Sequence, residues 1–445
     1  MQKEEAIDAR ASQQSIAARV AGLVDADSLQ SSIERLARFG ARADGGVGRE
    51  ALTPVECEAR RALLDEARER GWETYVDDCA NLFFRRNGVD DLPPVLTGSH
   101  IDTQPAGGRL DGAYGVLAGL EVLRALDRAG VATRRAVEVV AWTNEEGSRF
   151  APGAMGSSAF VDPARLAGYR EVRDAERISF GQALDETLAA TPDVPRRPLR
   201  APAHCYVELH IEQGPVLEAA GVPVAVVDGI QSVRWFEVRC KGRAAHAGTT
   251  PMELRADAMS AALAVASRLQ SSAAASAASG LRMTLGRWRV FPNSINTIPG
   301  EVAFSIDARC GDEAVLAAFE DALRAAVSDA RREWTLGGAI TIESLFSRGP
   351  TRFASPMLAV MERAVAQACS SDADGAPVHI VSGAFHDAMY LAEYCPTAML
   401  FVPSRAGISH NPAEYTEPAQ LVAGARALAH AVTELATAED QRRSS

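Results

Sequence analysis

The sequence has 445 residues and lacks the features that mark several classes of protein. No stretch approaches the roughly 18 apolar residues that cross a bilayer, and the opening segment MQKEEAIDARASQQS lacks the apolar core of a secretory signal peptide. No dense run of lysine and arginine interrupts the acidity of a chain whose formal net charge is −12. We therefore expect neither a general nucleic-acid binder nor a protein bound to anionic membranes.

Paired cysteines are also missing from the sequence. The seven cysteines are scattered and contain no Cys-x-x-Cys pair, which argues against a disulfide framework or a zinc finger. Reduced thiols are typical of the cytoplasm, so we expect a soluble cytoplasmic protein. The length predicts roughly two to three domains with at least one large core.

Helix and strand signals alternate over much of the chain. Thr53, Pro54 and Glu56 form an N-cap, an N1 proline and a capping-box glutamate, so they predict a helix that runs to Gly71. An apolar run, a helical pattern and a second apolar run then follow, which is the order of a parallel α/β unit. These three segments are residues 94–98, 113–128 and 136–143; further strands are predicted at 205–211 and 397–402 and a closing helix at 418–435.

The pattern changes between residues 232 and 350. Long strand candidates at 234–240, 281–291 and 301–308 are interleaved there with two alanine-rich helices. This pattern predicts an inserted α+β domain. The segment SSAAASAAS at 271–279 has low complexity and is interpreted as a soft helix end or a loop.

Potential metal ligands stand at or just beyond the ends of the predicted strands. His100, His210 and His410 have this position, and the pair Glu145 and Glu146 follows the run VVAWTN. In open α/β sheets ligands bind at the carboxyl ends of strands, so these segments can converge in one crevice. Imidazoles and carboxylates that meet there would suit zinc-like divalent metals.

The local sequence adds detail to this hypothesis. Asp102 lies two residues beyond His100 and could orient its imidazole, and Asp111 lies in the glycine-rich segment GGRLDGAYG, where a metal can approach closely. Glu145 and Glu146 could divide the roles of base and ligand. Taken singly, a strand-end histidine is more often structural, a Glu-Glu pair is usually solvated and GGRLDG is usually a turn.

Together these segments resemble the hydantoinase/carbamoylase amidases of the dimetal aminoacylase-like peptidase clan. The resemblance covers most of the chain, in family order. The matching blocks are GSHIDTQPAGGRLDG (98–112), TNEEGSRF (143–150), ELHIEQGPVLE (208–218), GRAAHAGTTPMELRADA (242–258), NTIPGEVAFSIDAR (296–309), SGAFHDAM (382–389) and FVPSRAGISHNPAEYT (401–416).

The resemblance implies an α/β fold with a metallopeptidase-like catalytic domain at 1–231 and 351–445, built on a mostly parallel central sheet. The insert at 232–350 would be the smaller dimerisation and lid domain, closing over the substrate by a hinge motion. The catalytic domain would hold two divalent ions per subunit. Zinc is the expected metal, and manganese, cobalt and nickel are the alternatives. The implied ligands are His100 and His210 on one ion, Glu146 and His410 on the other, and Asp111 bridging both, with Glu145 as the general base.

The resemblance also implies substrate contacts. His246 would come from the partner subunit of a homodimer and stabilise the oxyanion, while Arg309, supported by Asn296, would hold the substrate carboxylate. Gln213 and His386 would contact the amide. The family block commonly has glycine where Phe385 stands here, and a phenyl ring there should reshape the wall of the carbamoyl pocket.

We therefore predict a metal-dependent amidohydrolase that cleaves N-carbamoyl-L-amino acids or N-carbamoyl-β-alanine to the amino acid, ammonia and carbon dioxide. An allantoate or other ureido-acid amidohydrolase is the alternative enzyme, and a binding protein that has lost turnover is the alternative from another class. Nucleophilic catalysis is disfavoured because no Gly-x-Ser-x-Gly elbow is present and Cys205 and Cys240 lie in strand patterns. The expected partner is a small ureido or carbamoyl acid.

Overall fold

The computed structural model describes residues 14–334, 337–369 and 376–439 of the chain. The chain divides into two compact units, Met1–Gly229 with Phe353–Ser445 and Ile230–Arg352. The predicted catalytic domain includes three segments that lie outside the described residues, which are 1–13, 370–375 and 440–445. No helix in the described part of the chain is long and apolar enough to span a membrane.

The described elements are named in chain order. A helical segment at residues 14–22 precedes them. The helices are α1 (Ala26–Ala37), α2 (Pro54–Glu69), α3 (Ala113–Ala129), α4 (Met155–Val161), α5 (Arg165–Arg170), α6 (Phe180–Ala189), α7 (Val216–Ala220), α8 (Ala258–Ala275), α9 (Glu313–Glu333), α10 (Ser355–Ala368), α11 (Ala388–Leu391) and α12 (Pro418–Thr437). The strands are β1 (Glu73–Val76), β2 (Leu82–Arg86), β3 (Val95–His100), β4 (Val137–Trp142), β5 (Cys205–Ile211), β6 (Ala225–Ile230), β7 (Ser232–Lys241), β8 (Ala245–His246), β9 (Arg282–Phe291), β10 (Thr297–Ile298), β11 (Glu301–Cys310), β12 (Ala339–Arg348), β13 (Thr351–Arg352), β14 (His379–Ser382) and β15 (Thr397–Val402).

The larger unit is built on a central sheet with the strand order β1-β2-β4-β3-β5-β15-β6, and β14 also pairs with β6. The four middle strands β4, β3, β5 and β15 are parallel, whereas the outer pairings of β1, β2 and β6 are antiparallel. Every residue of those four strands is buried, which is expected of a sheet with both faces covered. The predicted α/β fold with a mostly parallel central sheet is confirmed.

A glycine allows the two strands nearest the site to pair closely. Gly98 in β3 has a φ of +140°, and a Cβ atom at this position would lie 2.0 Å from the carbonyl oxygen of Val140 in β4. Any side chain here would push β3 away from β4. The position of His100 at the end of β3 therefore depends on this glycine.

The start of α2 differs in one detail from the prediction. Thr53 is the N-cap, and its hydroxyl accepts a hydrogen bond from the N–H of Glu56, as expected. The Glu56 carboxylate accepts instead from the N–H of Leu52, one residue before the cap, and pairs with Arg60. The prediction that Glu56 accepts from the backbone N–H of the N-cap is therefore wrong, because the N–H of Thr53 donates to the carbonyl oxygen of Glu50.

The smaller unit contains an antiparallel sheet with the strand order β12-β7-β11-β9. Helices α8 and α9 pack on one face of this sheet and form a separate apolar core with it. Strand β12 was not predicted, because its exposed residues at alternate positions gave a weak apolar signal. In the low-complexity segment, α8 ends at Ala275 and a 3-10 turn follows at Ala277–Ser279, so the interpretation as a helix end is confirmed.

Candidate metal centre

The centre lies at the carboxyl ends of the parallel strands of the larger unit. His100 is the last residue of β3, His210 is the penultimate residue of β5, and the loop after β4 carries Glu145. His410 follows β15. Because the four strands run in the same direction, their ends meet at one edge of the sheet, as the sequence predicted.

One group of metal-binding side chains consists of His100, Asp111 and His210, all three buried. The Oδ1 atom of Asp111 lies 3.2 Å from His210 Nε2 and 3.7 Å from His100 Nε2. Asp111 stands just before the N-terminus of α3, and the next residue, Gly112, has a φ of +62°. A Cβ atom on Gly112 would lie 2.3 Å from the ring of His100, so only glycine leaves room for this approach.

A second group consists of Asp111, Glu146 and His410. The other oxygen of Asp111, Oδ2, lies 3.2 Å from His410 Nε2, and Glu146 Oε2 lies 3.3 Å from the same nitrogen. Asp111 therefore belongs to both groups and presents a different oxygen to each. Burial opposes ionisation of Asp111, but hydrogen bonds with His210 and His410 hold its pKa well below the usual value.

Backbone carbonyls fix the tautomers of two of the imidazoles. His100 Nδ1 lies 2.9 Å from the carbonyl oxygen of Asp102, and His210 Nδ1 lies 2.9 Å from that of Ile211. A carbonyl oxygen can only accept, so each Nδ1 carries a proton, and in the neutral ring the lone pair is on Nε2, the nitrogen that faces Asp111. This is the tautomer that a metal ligand requires, so the donor set fits a divalent cation.

The carboxylates of the centre are crowded. Burial, followed by the charges of Asp387, Glu146 and Asp111, raises the pKa of Glu145 well above its usual value. Burial and the charge of Asp111 raise the pKa of Glu146 to about 8. Because so many buried acids repel one another, cations bound between them would stabilise the ionised forms.

The two glutamates divide between the two groups. Glu145 Oε2 lies 3.3 Å from His100 Nε2, whereas Glu146 faces His410. Glu146 also accepts hydrogen bonds from the backbone N–H and the side chain of Gln104. The two neighbouring glutamates therefore point to different donor groups.

The carboxylate of Asp102 holds the two glutamates, whereas the carbonyl oxygen of Asp102 holds the imidazole of His100. Its carboxylate lies 3.7 Å from His100 Nδ1, whereas its carbonyl oxygen accepts from that nitrogen. The carboxylate accepts instead from the backbone N–H groups of Glu145 and Glu146, both at 3.2 Å. The prediction was wrong about the atom, because Asp102 lies beyond the end of β3, where the alternation of faces no longer applies.

Glu414, which the sequence did not reveal, holds backbone N–H groups on the Asp111 side of the centre, as Asp102 does for the two glutamates. This buried carboxylate accepts from the backbone N–H groups of Leu110 and Asp111, at 2.9 and 3.1 Å. Ser409 Oγ lies 2.9 Å from Glu414 Oε2 and 3.0 Å from Asp111 Oδ2, and its single hydroxyl proton is donated to one of the two at a time. No local pattern pointed to Glu414, because the backbone groups that it holds lie about 300 residues earlier in the chain.

Two of the predicted substrate contacts lie beside the centre. Gln213 donates from Nε2 to Asp111 Oδ2 at 2.9 Å, and its buried Oε1 atom has no hydrogen-bond partner among the described residues. His386 is buried, with its ring centroid 4.5 Å from that of His210 and its Nε2 3.0 Å from Ser382 Oγ. Glu208, His210 and His386 form a third group that could hold a metal.

Phe385 lies on the side of the centre that carries Glu145. A Cβ atom on Gly153 would lie 2.8 Å from the tip of the Phe385 ring and 2.3 Å from the carbonyl oxygen of Glu145. The ring therefore fits against the loop that follows the two glutamates only because residue 153 is glycine.

The remaining predicted residues belong to the smaller unit. His246 in β8 and Asn296 are exposed, and the pairing of β8 with β10 brings their segments together, since Ala247 N–H donates to the Asn296 carbonyl at 2.9 Å. Arg309 in β11 donates from Nε and Nη2 to the carboxylate of Asp307.

Comparison with known proteins assigns the family. The model of the peptidase family M20/M25/M40 matches residues 96–434. The chain belongs to this family. The strand-end histidines and the two glutamates that follow β4 all lie within the matched range.

Relatives within the family are amidohydrolases. The chain is 37% identical to the N-carbamoyl-L-amino-acid amidohydrolase of Rhizobium meliloti, covering 93% of this chain and 97% of the relative. It is 36% identical to the allantoate amidohydrolase of Bacillus subtilis (strain 168), covering 92% and 98%. A hydantoinase/carbamoylase family amidase from Burkholderia vietnamiensis has a similar crystal structure, with a TM-score of 0.84, 41% identity and coverage of 93% and 98%.

These comparisons confirm the resemblance found in the sequence and the predicted enzyme class. The chain is a hydrolase of the amidohydrolase type, because relatives at this identity and coverage share that activity. The family and the donor groups agree on a capacity to bind metal ions.

Proposed function

We propose that the protein hydrolyses the carbamoyl C–N bond of N-carbamoyl-L-amino acids or N-carbamoyl-β-alanine with two divalent ions per subunit. The observation that carries the proposal is the sharing of Asp111 by two donor groups, with one oxygen facing each. His100 and His210 would hold one ion and Glu146 and His410 the other. Zinc suits these ligands, and manganese, cobalt or nickel would also be accepted.

When bound, the two ions would supply a polarised carbonyl and a water of lowered pKa. Glu145 would take the proton of the attacking water and pass it to the leaving nitrogen, because it is the buried acid next to the first group that is not needed as a ligand. Asp102 would hold the peptide of Glu145 in place during both transfers. The products are ammonia and a carbamate, which loses carbon dioxide to give the amino acid.

His246 is suited to stabilise an oxyanion. Its Nδ1 accepts a hydrogen bond from the N–H of Gly248 at 3.0 Å, so the neutral ring carries its proton on Nε2. Because the side chain is exposed, that N–H is available to a negatively charged oxygen. We assign His246 to the active site of the partner subunit in a homodimer.

The substrate would be held at both ends. Arg309 would bind its carboxylate, with the guanidinium plane fixed by Asp307, and Asn296 would assist. Asn296 Oδ1 accepts from Ser294 at 3.0 Å, which turns its NH₂ group outward as a donor. Gln213 would accept an amide N–H with its unpartnered Oε1, and His386 would contact the same amide.

The domain roles follow from this assignment. Residues 1–231 and 351–445 would form the catalytic domain, and residues 232–350 would provide dimerisation and closure over the substrate. Closure would appear as a smaller radius of gyration in X-ray scattering when a carbamoyl amino acid binds to the Glu145→Gln variant. A radius that stays the same would contradict it.

Metal analysis and a substrate panel test the proposed function together. Purified protein should contain about two divalent ions per chain and should hydrolyse N-carbamoyl-L-amino acids or N-carbamoyl-β-alanine faster than allantoate. A chelator should abolish the activity, and added zinc, manganese, cobalt or nickel should restore it. Activity that persists after the chelator has removed the metal would contradict the metal mechanism, and a preference for allantoate would transfer the assignment to that substrate.

A further inference from the structure

One face of the smaller unit's sheet carries a concentration of arginine. Helices α8 and α9 pack on the face that presents Phe236, Val238 and Phe304, so the residues between these point to the opposite face. We call this opposite face the arginine face. It is defined by Arg239, Arg282, Arg289, Arg309 and Arg348, which the strand register places on it, and by Arg287, which pairs there with Glu237.

The arginine face is positively charged although the protein is not. Lys241 adds a seventh positive charge to the six arginines, and Glu237, Glu301, Asp307 and Glu343 are the acidic residues at the same register positions. The surplus is three positive charges, on a chain with a formal net charge of −12. Such a local reversal of sign concentrates anions near the surface.

A three-arginine cluster lies at the centre of the face. The buried carboxylate of Glu237 pairs with Arg239 at 2.6 Å, Arg289 at 2.5 Å and Arg287 at 3.4 Å. Arg239 also pairs with Glu301. Two carboxylates cannot neutralise three guanidinium groups, and the side chains of Arg287 and Arg289 are 57% and 56% exposed. Their positive charge is therefore presented to solvent.

The cluster and the proposed carboxylate ligand share one strand surface. Arg309 lies on β11 of this face. Ala303, also on β11, is paired with Arg289 of β9. Between Ala303 and Arg309, the residues on the same side of β11 are Ser305 and Asp307. Ala303 is buried and Ser305 is half-buried, so the groups that this part of the face exposes to a small anion are the guanidinium groups of Arg287 and Arg289. An anion drawn to Arg287 and Arg289 would remain on the sheet face that also carries Arg309, whose guanidinium group pairs with Asp307.

We propose that the arginine face collects small carboxylate anions and raises their concentration near Arg309. The ligand class is the ureido-acid substrate itself, held loosely by charge and not in a fixed pose. The proposal rests on the proposed function, in which Arg309 binds the substrate carboxylate. It adds a role for Arg239, Arg287 and Arg289 that the reaction itself does not require.

The test is the double variant Arg287→Gln/Arg289→Gln, assayed as holoenzyme. At an ionic strength of about 0.01 M, kcat/KM for an N-carbamoyl amino acid should fall about three- to five-fold while kcat stays the same. At about 0.5 M salt the kcat/KM of the variant should approach that of the parent, because salt screens the attraction between the arginines and the anion. Glu343→Gln, which removes an exposed negative charge from the same face, should raise kcat/KM at low salt.

The matched control is Arg324→Gln/Arg332→Gln. These arginines lie on α9, their side chains are 62% and 71% exposed, and the variant removes the same charge from the same unit. An equal fall of kcat/KM in the control, or a fall that persists at high salt, would overturn the proposal. If the parent hydrolyses none of the ureido acids, the proposed function fails separately. Calorimetric titration with glutarate then tests the role of the arginine face without the reaction. If the variant Arg287→Gln/Arg289→Gln binds glutarate as tightly as the parent, this role is overturned.

Discussion

The Glu145 carboxylate lies 3.3 Å from His100 Nε2, the nitrogen that this ring presents to Asp111. In the proposed assignment Glu145 is therefore within reach of a water at the first donor group and is not one of its ligands. Replacing it by glutamine keeps the shape but removes the ability to take a proton. We expect Glu145→Gln to lower kcat by roughly 10²- to 10⁴-fold while the metal content stays the same.

Glu146→Gln is the matched comparison for this change. Glu146 faces His410 and would be a ligand, so its amide should lower the metal content as well as the rate. Both variants can be followed by steady-state kinetics and elemental analysis of the same samples. A near-normal rate in Glu145→Gln would remove the assignment of the base.

The sharing of Asp111 predicts a distinctive metal stoichiometry. Asp111→Asn should lose affinity for both ions, whereas His410→Ala should lose one and keep the other. Mass spectrometry of metals after gel filtration measures the number per chain. His379→Ala, which changes a half-exposed histidine outside the three donor groups, should keep both ions. Two tightly bound ions in Asp111→Asn would contradict a bridging role.

Asp102 allows a test of which atom holds His100. Asp102→Asn keeps the backbone carbonyl that accepts from His100 but places an NH₂ group where one of the two glutamate N–H groups needs an acceptor. We expect the metals to remain bound and kcat to fall about ten-fold or more, because the loop of Glu145 is displaced. If the variant instead lost its metals with no change in the position of that loop, the carboxylate would be the group that holds the imidazole.

Asp77 makes the stability of the larger unit depend on pH. Its buried carboxylate accepts from the N–H groups of Cys79 and Asn81, and burial raises its pKa from 3.8 to about 6. Because the folded-state pKa is above the unfolded one, the stabilisation is fully present below about pH 3.8 and is lost as the pH rises through about 6. The free energy of unfolding of the parent, relative to Asp77→Asn, should fall by about 2 kcal/mol between pH 4.5 and 7.

Urea unfolding at several pH values measures this difference. Asp78→Asn, which removes a carboxylate with 60% side-chain exposure one residue away, is the matched control. A difference between parent and Asp77→Asn that stays constant over this pH range would contradict the assignment.

The sequence was sufficient for the parts of the site that depend on local pattern. The apolar runs located β3, β5 and β15, and the polar residues at their ends included His100 and His210. Strand β12 escaped detection because its apolar residues are interrupted by exposed ones, and β2 because its apolar run is only three residues long and two arginines follow it. The role of Glu414 could not be derived, since it acts on backbone groups about 300 residues earlier in the chain. Such a contact depends on packing and not on spacing.

The position of β15 in the sheet has a consequence for biosynthesis. This strand pairs with β5 on one side and β6 on the other, although some 170 residues of chain separate its start from the end of β6. While the ribosome is still producing that stretch, β5 and β6 are left with unpaired edges that can join with other nascent chains. Newly made protein should therefore depend on chaperones until residue 402 has left the exit tunnel.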